Sequence, residues 1–159
     1  MVLPPSVRWN PGVGVTVRTA TTIGDLVGDG TFVFTGRTRT ALDLIRRGPT
    51  DDAVVLLDRL VQHRVAFLDE VRHAARSLPR CRGSRQAREV AALADGLAES
   101  PQETRLRLLL HRAGLPAPVT QYEIRQQKRF VARVDSGYPE QRLAVEYDGV
   151  WHGDRALAA

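Results

Sequence analysis

The spacing of apolar residues changes twice along this chain, and each change marks a different kind of secondary structure. In the first 36 residues, apolar and polar residues alternate over residues 13–18 and 31–35, which predicts two short β-strands. The glycine-rich stretch 24–30 between them is predicted to be a loop with a turn at residues 28–30. We therefore expect residues 1–36 to form an irregular, partly β element.

Apolar residues in the middle of the chain, residues 37–98, recur every three to four positions, which is typical of helices with one buried side. Thr50 is the predicted N-cap of the second of four helices, and Asp58 lies on or beside its apolar stripe. A third helix is predicted over residues 68–78, and Ser84 is the predicted cap of a fourth helix that runs to about residue 97. This segment is expected to be entirely helical.

Residues 99–159 begin with a strong helix start. Ser100 is the predicted N-cap, Pro101 occupies the first helical position and Glu103 completes a capping box. Gly114 is the predicted glycine at the end of this helix. The predicted buried stripe of the helix consists of three leucines: Leu106, Leu109 and Leu110.

The spacing then drops to two residues, which predicts strands over residues 121–124, 130–138 and 143–147. Helices followed by a run of strands indicate an α+β fold. We therefore expect a helical middle segment followed by one helix and a small β-hairpin sheet.

The charge balance permits a polyanionic partner without demonstrating one. The chain has 23 Lys and Arg against 18 Asp and Glu, a formal charge of +5, and Lys128 is its only lysine. Codon usage in a G+C-rich genome explains the arginines, although basic proteins also tend to bind nucleic acid. A single cysteine excludes an intramolecular disulfide. The sequence lacks a membrane-spanning apolar run and a secretory signal, so we expect a cytoplasmic protein with no membrane partner.

The last two predicted strands bring two acids together. If residues 139–142 form the loop of a hairpin, Tyr138 faces Leu143, and Asp135 faces Glu146. Facing residues have Cβ atoms about 4.5–5.5 Å apart, and like charges there are destabilising by up to roughly 1 kcal/mol. A cation between the two carboxylates would remove this penalty, and Mg²⁺ is typically held by one or two carboxylates with waters and phosphate oxygens.

Two further residues could join this site. Glu103 lies on the preceding helix, and His152 follows the last strand, where a histidine could act as a general base. Each candidate also has a plainer explanation. Glu103 serves the capping box, Asp135 could bond local backbone, and His152 could be an exposed loop residue. Glu146 could pair with one of two nearby arginines: Arg133 or Arg142.

Residues 100–155 also resemble small restriction-endonuclease-like domains related to very-short-patch repair endonucleases, which are found at the C-terminus of many actinobacterial proteins. The resemblance is carried by six blocks of residues: Ser100-Pro101-Gln102-Glu103-Thr104-Arg105-Leu106-Arg107, Gly114-Leu115-Pro116, Ala132-Arg133-Val134-Asp135, Tyr138-Pro139-Glu140, Ala144-Val145-Glu146-Tyr147-Asp148-Gly149 and Trp151-His152.

The resemblance implies Mg²⁺-dependent cleavage of DNA. It makes Asp135 and Glu146 the metal-binding acids, Glu103 the helix glutamate and His152 the histidine near the attacking water. Members of this family continue past the histidine with an Arg-rich helix and a further strand, whereas seven residues follow it here. The resemblance therefore implies a truncated endonuclease-like domain over residues 99–159.

A second resemblance covers the helical segment, residues 37–98. It is similar to the C-terminal region of AbiEi-type antitoxins, chiefly over Arg37-Thr38-Arg39-Thr40-Ala41-Leu42-Asp43-Leu44. This implies a toxin–antitoxin partner. Ser136 and Gly137 depart from the nuclease pattern, and a glycine weakens a strand. An inactive DNA- or protein-binding regulator and an inactive remnant therefore stay open beside the nuclease, and an exposed sheet edge makes a homodimer a further expectation.

Overall fold

The structure is a computed structural model of the 159-residue chain. It describes residues 33–148 continuously and, before them, residues 2–3, 6, 8–10, 12–13, 18–19 and 26–28. The predicted strand 13–18 and turn 28–30 lie largely outside the described residues, and His152 lies wholly outside them. The described elements are β1 (Val2–Leu3), β2 (Arg18–Thr19), β3 (Leu26–Gly28), β4 (Val33–Thr35), α1 (Arg37–Ile45), α2 (Thr50–Gln62), α3 (Leu68–Ser77), α4 (Ser84–Leu93), α5 (Pro101–Arg112), β5 (Val119–Gln126), β6 (Arg129–Tyr138) and β7 (Leu143–Val145).

These elements confirm the α+β class. Helices α1–α4 pack against one another, and α5 packs on α2. Their small and branched apolar residues form one core, because each helix carries them at helical spacing. The largest fully buried apolar side chains are Ile45, Val54, Leu57, Val71, Val90 and Leu108. Among the described residues, no helix has the length and apolar character that crossing a membrane requires.

The N-terminal region differs from the prediction in two described elements, since Val2–Leu3 in the predicted irregular start is strand β1. Leu26–Gly28, which the glycine content assigned to a loop, is strand β3 and pairs antiparallel with β4. The tertiary pairing has overridden a weak local signal here, because Gly28 takes an extended conformation opposite Val33.

Two predicted helix caps were wrong by one residue. Thr50 is the first residue of α2, and the N-cap position is held by Pro49. Ser84 is likewise the first residue of α4, after Gly83 with φ of 81°. The Ser84 hydroxyl donates instead to the Cys81 carbonyl at 2.9 Å, so it closes the preceding turn. A Cβ at position 83 would lie 2.5 Å from the Arg46 carbonyl oxygen, which explains the glycine.

Helix α4 ends at Leu93, about four residues earlier than predicted. The reason lies on α2, where the Asp58 carboxylate is completely buried. Its Oδ1 accepts hydrogen bonds from the backbone amides of Asp95 and Gly96, both at 2.9 Å. These amides turn towards α2 and are therefore unable to continue the helix.

Helix α5 begins and ends as predicted. The Ser100 side chain accepts a hydrogen bond from the Glu103 amide at 3.2 Å, and Pro101 opens the helix. At the other end, Gly114 has φ of 75°, and the amides of Gly114 and Leu115 bond back into the last turn in the Schellman arrangement.

The predicted buried stripe of α5 was wrong. Leu109 is 61% exposed, and Leu106 and Leu110 are only partly buried. The buried positions are Thr104 and Leu108. The orientation of α5 follows from polar contacts with Asp58 as well as from leucine burial, and the leucine pattern alone could not reveal this.

The C-terminal sheet has the strand order β5-β6-β7 and is antiparallel throughout. Tyr138 pairs with Leu143, which confirms the predicted register and the loop 139–142. Gly137 is required by a close approach, since a Cβ there would lie 2.5–2.7 Å from atoms of the Tyr122 side chain. Strand β5 is longer than predicted, and β7 ends two residues earlier.

Candidate functional site

The hairpin register positions the two acids at the centre of the candidate site. Ser136 and Val145 form the last pair between β6 and β7, and Asp135 and Glu146 are the residues that come next to this pair on the two segments. Continued by one pair, this register would put both acids on the same side of the sheet. Asp135 is half-buried and Glu146 is exposed, so both acids are accessible to solvent.

Asp135 has a structural contact of its own. Its Oδ2 accepts a hydrogen bond from the Tyr147 backbone amide at 2.9 Å. This bond explains the early end of β7, because the Tyr147 amide is directed to a side chain rather than to the backbone of β6. The plainer explanation of Asp135 is therefore correct for one of its two oxygens.

The other three carboxylate oxygens of Asp135 and Glu146 differ from Asp135 Oδ2 in their contacts. Within residues 33–148, Asp135 Oδ1 and the Glu146 carboxylate have no hydrogen-bond or ion-pair partner. The alternative in which Glu146 pairs with Arg133 or Arg142 is not seen within residues 33–148, where Arg133 binds the Glu99 carboxylate at 2.8 Å. Carboxylate oxygens that have no partner in the described part of the chain are oxygen ligands of the hard kind that Mg²⁺ prefers.

Glu103 connects helix α5 to the sheet. Its Oε2 accepts a hydrogen bond from the Glu99 amide at 2.8 Å and another from Gln121 Nε2 at 2.9 Å. The first bond is a variant of the predicted capping box, reaching the residue before the N-cap. Gln121 lies on β5 between the paired residues Thr120 and Tyr122, opposite Asp135 on β6. Glu103 is thus directed to the strand beside the acidic pair.

The described residues contain no group of three or more His, Cys, Asp or Glu side chains that could hold a metal ion. Glu103 therefore does not join Asp135 and Glu146 in a three-ligand cluster. Among the described residues, this leaves Asp135 and Glu146 as the two candidate metal ligands. The predicted contribution of His152 lies outside the described residues.

A buried ionic network, which the sequence did not indicate, fixes the sheet to the helices. Asp58 Oδ2 accepts hydrogen bonds from Thr104 at 2.9 Å and from Arg107 at 2.7 Å. Arg107 Nε lies 3.0 Å from Asp95 Oδ2, and the same Asp95 oxygen accepts a bond from the Thr120 hydroxyl at 2.7 Å. The chain of contacts runs from the helical core to β5, next to the acidic pair.

Surface ion pairs strengthen the contact between α5 and α2. Arg105 lies 3.1 Å from Asp52, and Arg112 binds the neighbouring Asp51. The side-chain hydrogen bond that Arg112 donates to Asp51, together with the negative charge of Asp51, raises the pKa of Arg112. Because arginine is charged at all physiological pH values in any case, this pair adds no pH dependence near neutrality.

Comparison with known proteins gives relatives without an assigned activity. The chain is similar to two curated Mycobacterium tuberculosis proteins, uncharacterised protein MT2308 of strain CDC 1551 and uncharacterised protein Rv2248 of strain H37Rv. Each is 33% identical over 158 residues, which are 98% of this chain and 57% of the relative. The chain thus spans little more than half the length of these relatives. No family model and no solved structure matches it.

Proposed function

We propose that the chain is a nuclease-related protein that hydrolyses phosphodiester bonds of DNA with Mg²⁺ held by Asp135 and Glu146. The observation that supports this proposal most strongly is the register of β6 and β7, because its last pair, Ser136 with Val145, is the one directly next to Asp135 and Glu146. A cation between the two acids would relieve their repulsion, and within residues 33–148 Asp135 Oδ1 and the Glu146 carboxylate have no other partner. The resemblance to very-short-patch repair endonucleases supplies the reaction type.

In this proposal, each residue of the site has its own role. Asp135 keeps its orientation through the Tyr147 amide and offers Oδ1 to the ion, while Glu146 offers its exposed carboxylate. Glu103 orients Gln121 on the strand opposite Asp135. His152 accepts the proton of the attacking water. When bound, Mg²⁺ supplies a Lewis acid that polarises the phosphodiester and lowers the pKa of water.

A plasmid-nicking assay tests the proposal. Supercoiled DNA is incubated with the wild-type chain and Mg²⁺ or EDTA, and with Asp135→Asn and the matched control Glu140→Gln. Glu140 is an exposed acid in the loop of the same hairpin. We expect Mg²⁺-dependent nicking by the wild type and by Glu140→Gln, and loss of at least about 100-fold in Asp135→Asn, the scale of a lost electrostatic contact to the reacting group. Absence of nicking by the wild type, or equal nicking by Asp135→Asn, would contradict the proposal.

A second candidate function is a catalytically inactive regulator that binds DNA. Two observations favour it. Asp135 Oδ2 already accepts a hydrogen bond from the Tyr147 backbone amide, and the described residues offer no third acidic ligand. This alternative predicts DNA binding that weakens steeply with salt but no turnover. The same assay, combined with a binding measurement in EDTA, separates the two functions.

A further inference from the structure

Strands β5 and β6 extend beyond the rest of the C-terminal sheet. Strand β7 pairs only with residues 136–138, whereas β5 and β6 remain paired as far as Gln126 and Arg129. We refer to residues 123–133 as the basic arm. In the described part of the chain, no third strand pairs with it. At about 3.4 Å per residue, its tip lies roughly 24 Å from the last pair made by β7.

The basic arm is exposed and positively charged. All of its residues are exposed except Ile124 and Ala132, which are half-buried. It carries one acid and four bases: Glu123, Arg125, Lys128, Arg129 and Arg133.

The charges are least neutralised at the tip of the arm. Arg125 pairs with Glu123 at 2.5 Å, and Arg133 pairs with Glu99. The charged ends of Lys128 and Arg129 have no partner among the described residues. Two adjacent unpaired cations therefore project from the far end of the arm.

The turn at the tip is occupied by residues that do not suit its backbone. Gln127 and Lys128 have φ of 47° and 69°, so both adopt the left-handed conformation of a two-residue type I′ turn. Glycine and asparagine are the usual residues in this turn, and other residues are strained there. A long amide and the chain's only lysine are thus presented at the tip despite backbone strain.

An apolar surface lies directly behind the charged tip. Phe130 is 53% exposed and Val131 is 56% exposed, next to an irregularity in the pairing of β5 with β6. A protein-binding strand would typically extend such an apolar surface, whereas here arginines and the lysine surround it. Charge complementarity therefore favours a polyanion over an apolar protein surface as the partner.

We propose that the basic arm inserts into the major groove of double-stranded DNA. A major groove about 12 Å wide and 8.5 Å deep accepts a two-stranded β-ribbon, and the arm is long enough to reach its floor. Lys128 and Arg129 contact phosphates at the groove edges, and the amides of Gln126 and Gln127 face the base edges. This inference rests on the proposed function in taking DNA as the partner, but it uses none of the proposed metal ligands.

Fluorescence anisotropy with a labelled DNA duplex in EDTA tests the arm apart from cleavage. The double variant Lys128→Gln with Arg129→Gln is compared with Arg76→Gln with Arg85→Gln, which removes the same charge from exposed positions on α3 and α4. We expect the arm variant to bind the duplex roughly tenfold more weakly at low salt. A plot of log affinity against log salt concentration should also have a negative slope that is shallower by about 2, one for each lost phosphate contact. The control is expected to bind within twofold of the wild type.

The outcomes separate the two proposals. Equal binding by wild type and arm variant would overturn the inference while leaving the proposed function in place. Absence of duplex binding by the wild type would overturn both. A duplex of RNA, whose major groove is too narrow for side chains to read, is expected to compete poorly, and equal competition by it would contradict groove insertion.

Chemical labelling of amines gives an independent readout at a single position. Because Lys128 is the only lysine, acetylation of a side-chain amine can occur only there. The acetylated fraction of the tryptic peptide that contains Lys128 therefore measures the accessibility of this side chain. We expect saturating duplex DNA to reduce Lys128 labelling at least fivefold while labelling of the N-terminal amine serves as the internal reference. Unchanged Lys128 labelling under conditions where anisotropy shows full binding would overturn the inference.

Discussion

Asp58→Ala is expected to be among the most destabilising single substitutions in this chain. The Asp58 side chain has no exposed surface, and its two oxygens together accept four hydrogen bonds. Removing it leaves two backbone amides and the Thr104 hydroxyl without their acceptor, and deprives Arg107 of its closest carboxylate. Each such bond to a charged group contributes about 1.5–3 kcal/mol, although these contributions are not additive.

The expected loss follows from breaking one side of a buried ion pair. Such changes cost about 3–5 kcal/mol, because they leave a buried charge without its partner. Arg107 keeps its contact with Asp95, at 3.0 Å, which argues for the lower end of that range. Since small domains have about 5–15 kcal/mol of total stability, Asp58→Ala is expected to lower the urea midpoint strongly.

Urea unfolding followed by circular dichroism measures this effect. Asp58→Asn retains an oxygen acceptor but loses the charge, so its free energy of unfolding should lie between those of wild type and Asp58→Ala. Asp69→Ala is the control, since this acid is 98% exposed and should change stability by less than about 0.5 kcal/mol. A loss of under about 1 kcal/mol in Asp58→Ala would refute the role assigned to the buried network.

Three further substitutions test local features of the C-terminal segment by thermal or urea unfolding. Gly137→Ala is expected to cost about 1–3 kcal/mol, because the new Cβ would overlap the Tyr122 side chain; an unchanged midpoint would contradict that contact. Ser100→Ala should cost about 1 kcal/mol through loss of the cap on the Glu103 amide, and a neutral result would show that the cap is dispensable. Lys128→Gly should raise stability by about 0.5–1 kcal/mol by relieving the left-handed strain while weakening DNA binding, and a destabilised variant would argue against that strain.

The features that could be predicted from the sequence are those that depend on contacts between residues close to each other in the chain. The start of α5 follows from Ser100 and Pro101, and the β6–β7 register follows from the proline-containing loop between the strands. Both depend on interactions within about a dozen residues. The α+β class follows in the same way from the change of apolar spacing along the chain.

The features that escaped prediction depend on contacts between distant segments. Asp58 bonds residues 37 to 49 positions away, so nothing near it indicates that it ends α4 and orients α5. The buried face of α5 was misassigned for this reason, since Thr104 was not recognised as a partner of Asp58. The bond from the Tyr147 amide to Asp135 likewise needs the strands to be paired before it can be seen.

Binding of Mn²⁺, which carboxylate sites accept in place of Mg²⁺, measures most directly whether the paired acids form a metal site. Electron paramagnetic resonance titrations of the full chain should show one saturable Mn²⁺ in the wild type and in Glu140→Gln. Asp135→Asn and Glu146→Gln should each lose it while unfolding at the wild-type midpoint. Absence of saturable binding in the wild type, or equal binding in all four proteins, would contradict a metal site between β6 and β7.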